Sequence, residues 1–313
     1  MTGSRIVALG HYQPKRILTN DDLAALVDTS DEWIRSRVGI QTRHIAEPDE
    51  PVDAMAANAA AKALASAGLL PEEIDLVVVA TCTAFVRSPN TAAQVARRLG
   101  MRSPAALDVN TVCSGFTHAL ATADHAIQAG AATKALVIGA EKFTDFADWT
   151  DRSTCILLGD GAGAAVVTAS PEPHISPVLW GSQPELGHTV LIGGVNDDKF
   201  TQEGQAVYRW ATTTLPDLAR RVCDLAGVTP ADLAAVVLHQ ANLRIIEPVV
   251  RRLGVPNAII ARDITESGNT SAASIPIALS KLVEQRQVES GAPVLLLGFG
   301  GGLCYAGQVI HCP

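Results

Sequence analysis

Apolar positions along this chain fall into two alternating patterns. Ala-rich stretches with a period near 3.6, such as 52–67 and 212–226, read as helices. Short continuous runs, such as Leu76-Val-Val-Val-Ala80 and Ala235-Val-Val-Leu238, read as strands buried on both faces. One passage of this pattern occurs twice. Ala67-Gly-Leu-Leu-Pro-Glu-Glu-Ile-Asp-Leu-Val-Val-Val79 returns as Ala226-Gly-Val-Thr-Pro-Ala-Asp-Leu-Ala-Ala-Val-Val-Leu238, 159 residues later. Each copy stops a helix at Gly, restarts at Pro-x-acid and enters a β-branched run. At the same offset Asn110 matches Asn269, and Ala119-Leu120 matches Ala278-Leu279. A Gly-rich turn closes each half: Gly159-Asp-Gly-Ala-Gly163 leads into Ala-Ala-Val-Val, and Gly298-Phe-Gly-Gly-Gly302 into Leu-Cys-Tyr-Ala.

The repetition predicts a duplicated α/β protein whose mixed sheets are covered by helices. Its least regular stretch, 171–204, holds Pro171, Pro173, Pro177 and Pro184, and divides the chain into halves 1–170 and 171–313. A chain of 313 residues exceeds one ordinary core, which agrees with two packed units. With 48% apolar and 18% charged residues it is not disordered, and with only 4% aromatics its core must be built from Ala, Val, Leu and Ile. A net charge of −8 argues against general affinity for nucleic acid or an anionic membrane, so an acidic partner needs a local basic patch. Six cysteines without a CxxC pair or zinc-finger spacing read as reduced thiols with no metal site. No run of about 18 apolar residues occurs, and the expectation is a cytoplasmic protein.

The sharpest chemical signal is Ala105-Ala-Leu-Asp-Val-Asn-Thr-Val-Cys113-Ser-Gly-Phe, where a strand turns into a helix with Cys113 at the turn. Amides at a helix start favour a thiolate, so Cys113 reads as a nucleophile with a depressed pKa; a buried small hydrophobe is the other reading. Cys82, Cys155, Cys223, Cys304 and Cys312 are assigned to packing. His239 ends the second copy's strand where the first copy has Ala80, and this asymmetry favours a functional histidine. Asn269 lies in a turn before a helix, a place that a cap or Asx turn also explains. His118 and His125 are left as polar-face residues. The loop Gly298–Gly302 lacks the Lys-[Ser/Thr] of a phosphate cradle, and its backbone can offer one arm of an oxyanion hole.

In order along the chain, Val27-Asp-Thr-Ser-Asp-Glu-Trp-Ile-Arg-Ser-Arg-Val-Gly-Ile40, the Cys113 elbow, Asp151-Arg-Ser-Thr-Cys155, Gly159-Asp-Gly-Ala-Gly-Ala164, His239-Gln-Ala-Asn-Leu-Arg244, Ser267-Gly-Asn-Thr-Ser-Ala-Ala-Ser274 and Gly298-Phe-Gly-Gly-Gly302 resemble the β-ketoacyl-acyl carrier protein synthase III family of the thiolase-like superfamily. The resemblance spans about residues 4–311. It implies a five-layer α-β-α-β-α sandwich of two similar halves, commonly a homodimer. It implies a Cys113–His239–Asn269 triad that condenses an acyl-CoA with malonyl-acyl carrier protein through a Cys113 thioester. The amides of Cys113 and Gly301 would hold the oxyanion, and no metal or redox cofactor is required. For CoA it implies Trp33 and Arg152 about the adenine, Arg37 near the phosphates, Thr29 close by and Asn242 on the pantetheine arm. Arg244, Arg251 and Arg252 would dock the acidic carrier.

Two features depart from the family. The segment Gly181–Thr201 is shorter than in many relatives, and Ser88 stands before Pro89 where a bulky residue often reaches into the partner's acyl pocket. Ser88 therefore predicts room for a starter larger than acetyl. A rival of the same fold moves the acyl group to a hydroxyl or amine, but His239 and Asn269 form an enolate site that such transfer does not need. A cysteine hydrolase and a non-catalytic binding subunit are further rivals; the first lacks a secretory signal, and the second does not need the elbow thiol. A hydroxymethylglutaryl-type synthase is set aside because Ala80-Thr-Cys-Thr83 carries no acid.

Overall fold

A computed structural model describes residues 3–193 and 198–313. The first half runs β1 (Gly3–Tyr12), β2 (Arg16–Thr19), α1 (Asn20–Ala24), α2 (Asp31–Val38), β3 (Thr42–Ile45), α3 (Val52–Ala67), β4 (Leu76–Ala80), α4 (Thr91–Arg98), β5 (Ala105–Val109), α5 (Gly115–Gln128), β6 (Lys134–Lys142) and β7 (Asp160–Ser170). The second runs β8 (Leu179–Ser182), β9 (Val190–Ile192), β10 (Phe200–Gln202), α6 (Gly204–Ala226), β11 (Ala235–Leu238), α7 (Leu243–Leu253), β12 (Ile259–Ile260), α8 (Ile264–Ser267), α9 (Ser274–Glu284), β13 (Pro293–Gly300) and β14 (Cys304–His311).

Two five-stranded sheets carry the fold, in the orders β1-β7-β6-β4-β5 and β8-β14-β13-β11-β12. Their pairing is the same: β4 lies parallel to β5 and β6, as β11 lies parallel to β12 and β13, and the remaining neighbours are antiparallel. The repeat offset survives in the register, since Leu76 faces Ala135 in one sheet and Ala235 faces Val294 in the other.

The continuous apolar runs follow from burial on both faces. Val77 and Val79 point to α3 and α4, through Met55, Ala59, Ala92 and Val95. Val78 and Ala80 point the other way, to a central layer where α5 (Phe116, Leu120) and α9 (Ile275, Leu279) lie between the sheets. Beyond the second sheet, Val236, Leu238 and Leu295 meet Leu215, Val222, Ile246 and Val249 of α6 and α7. These are the five layers of the α-β-α-β-α sandwich. Small Ala and Val side chains let helices approach closely, so the core does without many aromatics.

The stretch 171–204 is more structured than its composition implies. It supplies β8 as an edge of the second sheet, and β9 pairs with β10. Within Gly181–Thr201, positions 194–197 lie outside the described residues. Among the described residues no helix is long and apolar enough to cross a membrane.

Candidate active site

Between β5 and α5 the chain makes a single 3-10 turn, Val112–Ser114, with Val112 at φ 48°. A β-branched residue in that region is strained, and the strain turns Cys113 inward, leaving it 7% exposed. Over it closes the β13–β14 turn. A Cβ on Gly300 would lie 2.5 Å from the Cys113 Cβ and 3.2 Å from its nitrogen, so only glycine permits this approach. Burial pushes the Cys113 thiol up to about 12; the Ser271 hydroxyl opposes this, the Glu141 charge adds to it, and the amides of Cys113 and Gly301 favour the charged sulfur. The depressed pKa expected from the helix start is therefore corrected: removal from water outweighs the amides. At neutral pH Cys113 is therefore a thiol.

His239 follows β11 and is 2% exposed. Its ring stands edge-on to Phe299, with centroids 5.2 Å apart, and Nδ1 lies 2.7 Å from Ser274 Oγ. Ser274 Oγ also accepts the Gln240 N–H, and when its own proton is given to Nδ1 the ring proton sits on Nε2. Burial lowers the His239 pKa to about 3, so the imidazole is neutral at neutral pH.

Asn269 sits at 6% exposure, clamped by its backbone to the segment before β7: its N–H donates to Leu157 O at 2.7 Å and its carbonyl accepts from Gly159 N at 3.0 Å. Its Oδ1 accepts the Ser271 N–H at 2.9 Å, which turns the NH2 away as a donor. Cys113 lies against Gly300, His239 against Phe299, and Ser271 joins the Asn269 turn to the thiol. The three residues thus share the neighbourhood of one turn.

Four nearby residues escaped sequence reasoning. Ser271 and Ser274 come from the second-half elbow, and extending the repeat would have found them, since they stand 159 residues after Val112 and Gly115. Glu141, at the end of β6, is fully buried and accepts from Thr83 Oγ1 (2.6 Å), Thr81 Oγ1 (3.1 Å), the Cys82 N–H and thiol, and the Ala272 N–H. A carboxylate therefore does reach the Ala80–Thr83 strand end, from the neighbouring strand. Cys82 does more than pack: its Sγ is 3.2 Å from Glu141 Oε1 and 3.6 Å from Ser271 Oγ.

The residues that the resemblance assigns to CoA form a separate cluster. Arg152 and Arg37 lie over the Trp33 ring, at 5.0 and 5.6 Å from its centroid, and Arg152 also donates to Asp28 O. Thr29 Oγ1 is buried without a partner. Gly39, which ends α2, packs on Leu243, bringing the start of α7 and its N-cap Asn242 beside α2. Arg244 lies over Tyr208 at 5.8 Å, whereas Arg252 donates to Thr212 O and is tied to α6. Arg251 and Ser88 are exposed. His118 and His125 both contact Trp180, stacked and edge-on.

Two family models match the chain: 3-oxoacyl-[acyl-carrier-protein] synthase III over residues 107–184, and its C-terminal part over residues 223–312. The chain is 70% identical to β-ketoacyl-[acyl-carrier-protein] synthase III 2 of Streptomyces avermitilis, over 100% of both sequences. It is 68% identical to synthase III 4 of Streptomyces coelicolor, over 99% of both. Among solved structures it is similar to the priming β-ketosynthase of the R1128 polyketide pathway, with a TM-score of 0.97 and 42% identity over 99% of this chain and 96% of that one. It is also similar to 3-oxoacyl-[acyl-carrier-protein] synthase III of Aquifex aeolicus, with a TM-score of 0.95 and 41% identity over 99% and 100%.

Proposed function

The chain belongs to the 3-oxoacyl-acyl carrier protein synthase III family of condensing enzymes, and from that premise we propose that it joins an acyl-CoA starter to malonyl-acyl carrier protein by decarboxylative Claisen condensation. Cys113 Sγ attacks the acyl-CoA carbonyl and gives up its proton, and CoA leaves as its thiol. The amides of Cys113 and Gly301 face the sulfur, which supports their holding the oxyanion. Malonyl-carrier protein then loses CO2. Nε2–H of His239 and the NH2 of Asn269 donate to the thioester oxygen as it becomes an enolate, whose carbon attacks the acyl group and expels the Cys113 thiolate. The observation that supports this reading is a buried, uncharged imidazole and an amide whose Oδ1 is already engaged, both beside a buried thiol: simple acyl transfer has no enolate to stabilise. The malonyl thioester delocalises the developing charge, so no cofactor is invoked.

On the same reading, Trp33, Arg37, Arg152, Thr29 and Asn242 bind CoA, and Arg244 and Arg251 supply the basic surface for the carrier, with Arg252 a weaker contributor because of its bond to Thr212. A cytoplasmic homodimer fits the open edge of β5 and the exposed Phe85 and Val86 beside Ser88, which a second copy would cover. Intact-protein mass after incubation with a panel of acyl-CoAs, and again after malonyl-carrier protein, tests the reading. The expected result is an adduct that requires Cys113 and discharges as a ketoacyl product with CO2. An adduct stable to malonyl-carrier protein would indicate transfer to another acceptor, and no adduct with any donor would indicate a binding subunit.

A further inference from the structure

Arg43, in β3, is the largest fully buried side chain, and nothing in the mechanism uses it. Its hydrogen-bond acceptors are all neutral: Leu18 O at 3.3 Å, Asn20 Oδ1 at 2.9 Å and Ile156 O at 2.8 Å, while Nε has no partner at all. Burial lowers its pKa to about 10, which still leaves it charged at neutral pH. A buried cation held only by neutral acceptors is costly, and an apolar side chain would fill the same space without that cost.

Its bonds run toward two working regions. Ile156 opens the segment whose Leu157 and Gly159 clamp the Asn269 backbone from both sides. The Arg43 Cβ also fills the space beside Gly268, at φ 68°, where an added Cβ would come within 2.9 Å of it. On the other side Asn20, having accepted from Arg43, donates to Asp31 Oδ1 at 2.8 Å, and Asp31 begins α2, which carries Trp33 and Arg37.

Resting on the condensing reading above, we propose that Arg43 is a positioning residue for Asn269: it fixes the Ile156–Gly159 segment, and through it the amide that stabilises the enolate. It touches neither substrate nor the Cys113 elbow, so its effect falls on decarboxylation and spares acylation. The anchoring through Asn20 to α2 sets where the guanidinium sits and joins the CoA-side helix to the decarboxylation site.

The test uses the full-length enzyme with Arg43→Lys, Asn20→Ala and Asn269→Ala, alone and combined. Acylation of Cys113 by acyl-CoA is followed by intact mass, and CO2 release from malonyl-carrier protein is followed separately. Arg43→Lys is expected to slow CO2 release about tenfold or more while acylation stays within about twofold, and to add almost nothing in the Asn269→Ala background, as groups acting through one another do. Asn20→Ala keeps the guanidinium and its bonds to Leu18 O and Ile156 O but removes one anchor, so it should give a smaller loss in the same step. It also decides the matter should Arg43→Lys fail to fold. Equal losses in both steps, or a full additional loss on top of Asn269→Ala, would overturn the proposal. A wild-type enzyme that forms the acyl adduct but releases no CO2 would instead overturn the condensing reading on which it rests.

Discussion

The elbow at Val112–Ser114 and the elbow at Ser271–Ala273 stand 159 residues apart and share one backbone. Each is a 3-10 turn entering a central helix, and each puts a non-glycine residue at positive φ, 48° at Val112 and 45° at Ser271. Each is preceded by an asparagine whose Oδ1 accepts the N–H two residues on, at 3.4 Å from Asn110 and 2.9 Å from Asn269. The side chains differ position by position. Cys113 corresponds to Ala272, Ala80 to His239, and Gly115 to Ser274. In the first half Gly115 lies against Ala80; in the second, at the equivalent place, Ser274 bonds to His239. Asn110 faces solvent, whereas Asn269 is buried. On the proposed reading, one turn geometry serves as nucleophile holder in one copy and donor holder in the other. The chemistry comes from which copy received the thiol, the imidazole and the hydroxyl.

Making one copy resemble the other should remove its contribution. Cys113→Ala gives the first elbow the residue of the second, and should cut condensation by at least roughly a thousandfold, with no acyl adduct by intact mass. His239→Ala gives the second strand end the residue of the first. CO2 release should then fall about 10²–10³-fold while the Cys113 adduct still forms. Ser274→Ala removes only the hydroxyl bonded to the imidazole, and should cost about tenfold in the same assay, in line with one hydrogen bond of about 1–1.5 kcal/mol.

Burial sets the titration of both groups, and pH reads it. With its pKa pushed up to about 12, Cys113 should be alkylated by iodoacetamide at a rate that climbs about tenfold per pH unit through pH 8–10, where an ordinary thiol levels off. A plateau near pH 8.5 would contradict the buried-thiol account. His239 is neutral in the fold, with a pKa lowered to about 3, while the unfolded chain titrates it near 6.5. Its share of stability is complete above pH 6.5 and is lost as pH falls toward 3, at up to about 1.4 kcal/mol per unit. Urea unfolding between pH 7 and 4 should therefore show a shallower pH slope for His239→Ala than for the wild type. The smallest effect is expected outside both elbows: Ser88→Phe should lower activity on longer acyl-CoAs relative to acetyl-CoA by a few-fold, and an unchanged ratio would refute a role for Ser88 in starter size.

Much of this arrangement was legible in the chain because it repeats. The offset that aligns Ala67 with Ala226 also aligns the sheet registers and both elbows, and the asymmetry of His239 against Ala80 marks a residue the fold alone does not require. The ionisation of Cys113 was not legible, since a helix start and a buried pocket push a thiol in opposite directions and only packing tells which is larger. Nor was Cys82, whose apolar surroundings in sequence conceal its bond to Glu141.

The sequence by itself determined the duplicated strand-and-helix order, the place of Cys113 at a strand-to-helix turn, and the glycine turn that covers it, because each is a local matter of period, backbone freedom or spacing. Tertiary structure alone decided which groups act on them. Glu141 reaches the first strand end from a neighbouring strand, Ser271 reaches Cys113 from the opposite half, Ser274 meets His239 from 35 residues further along its own half, and Arg43 is buried over a hundred residues from the Ile156 carbonyl it holds. Hydrogen bonds and desolvation act over a few ångströms of space whatever the separation along the chain, so their outcome is fixed only once the two halves are packed together.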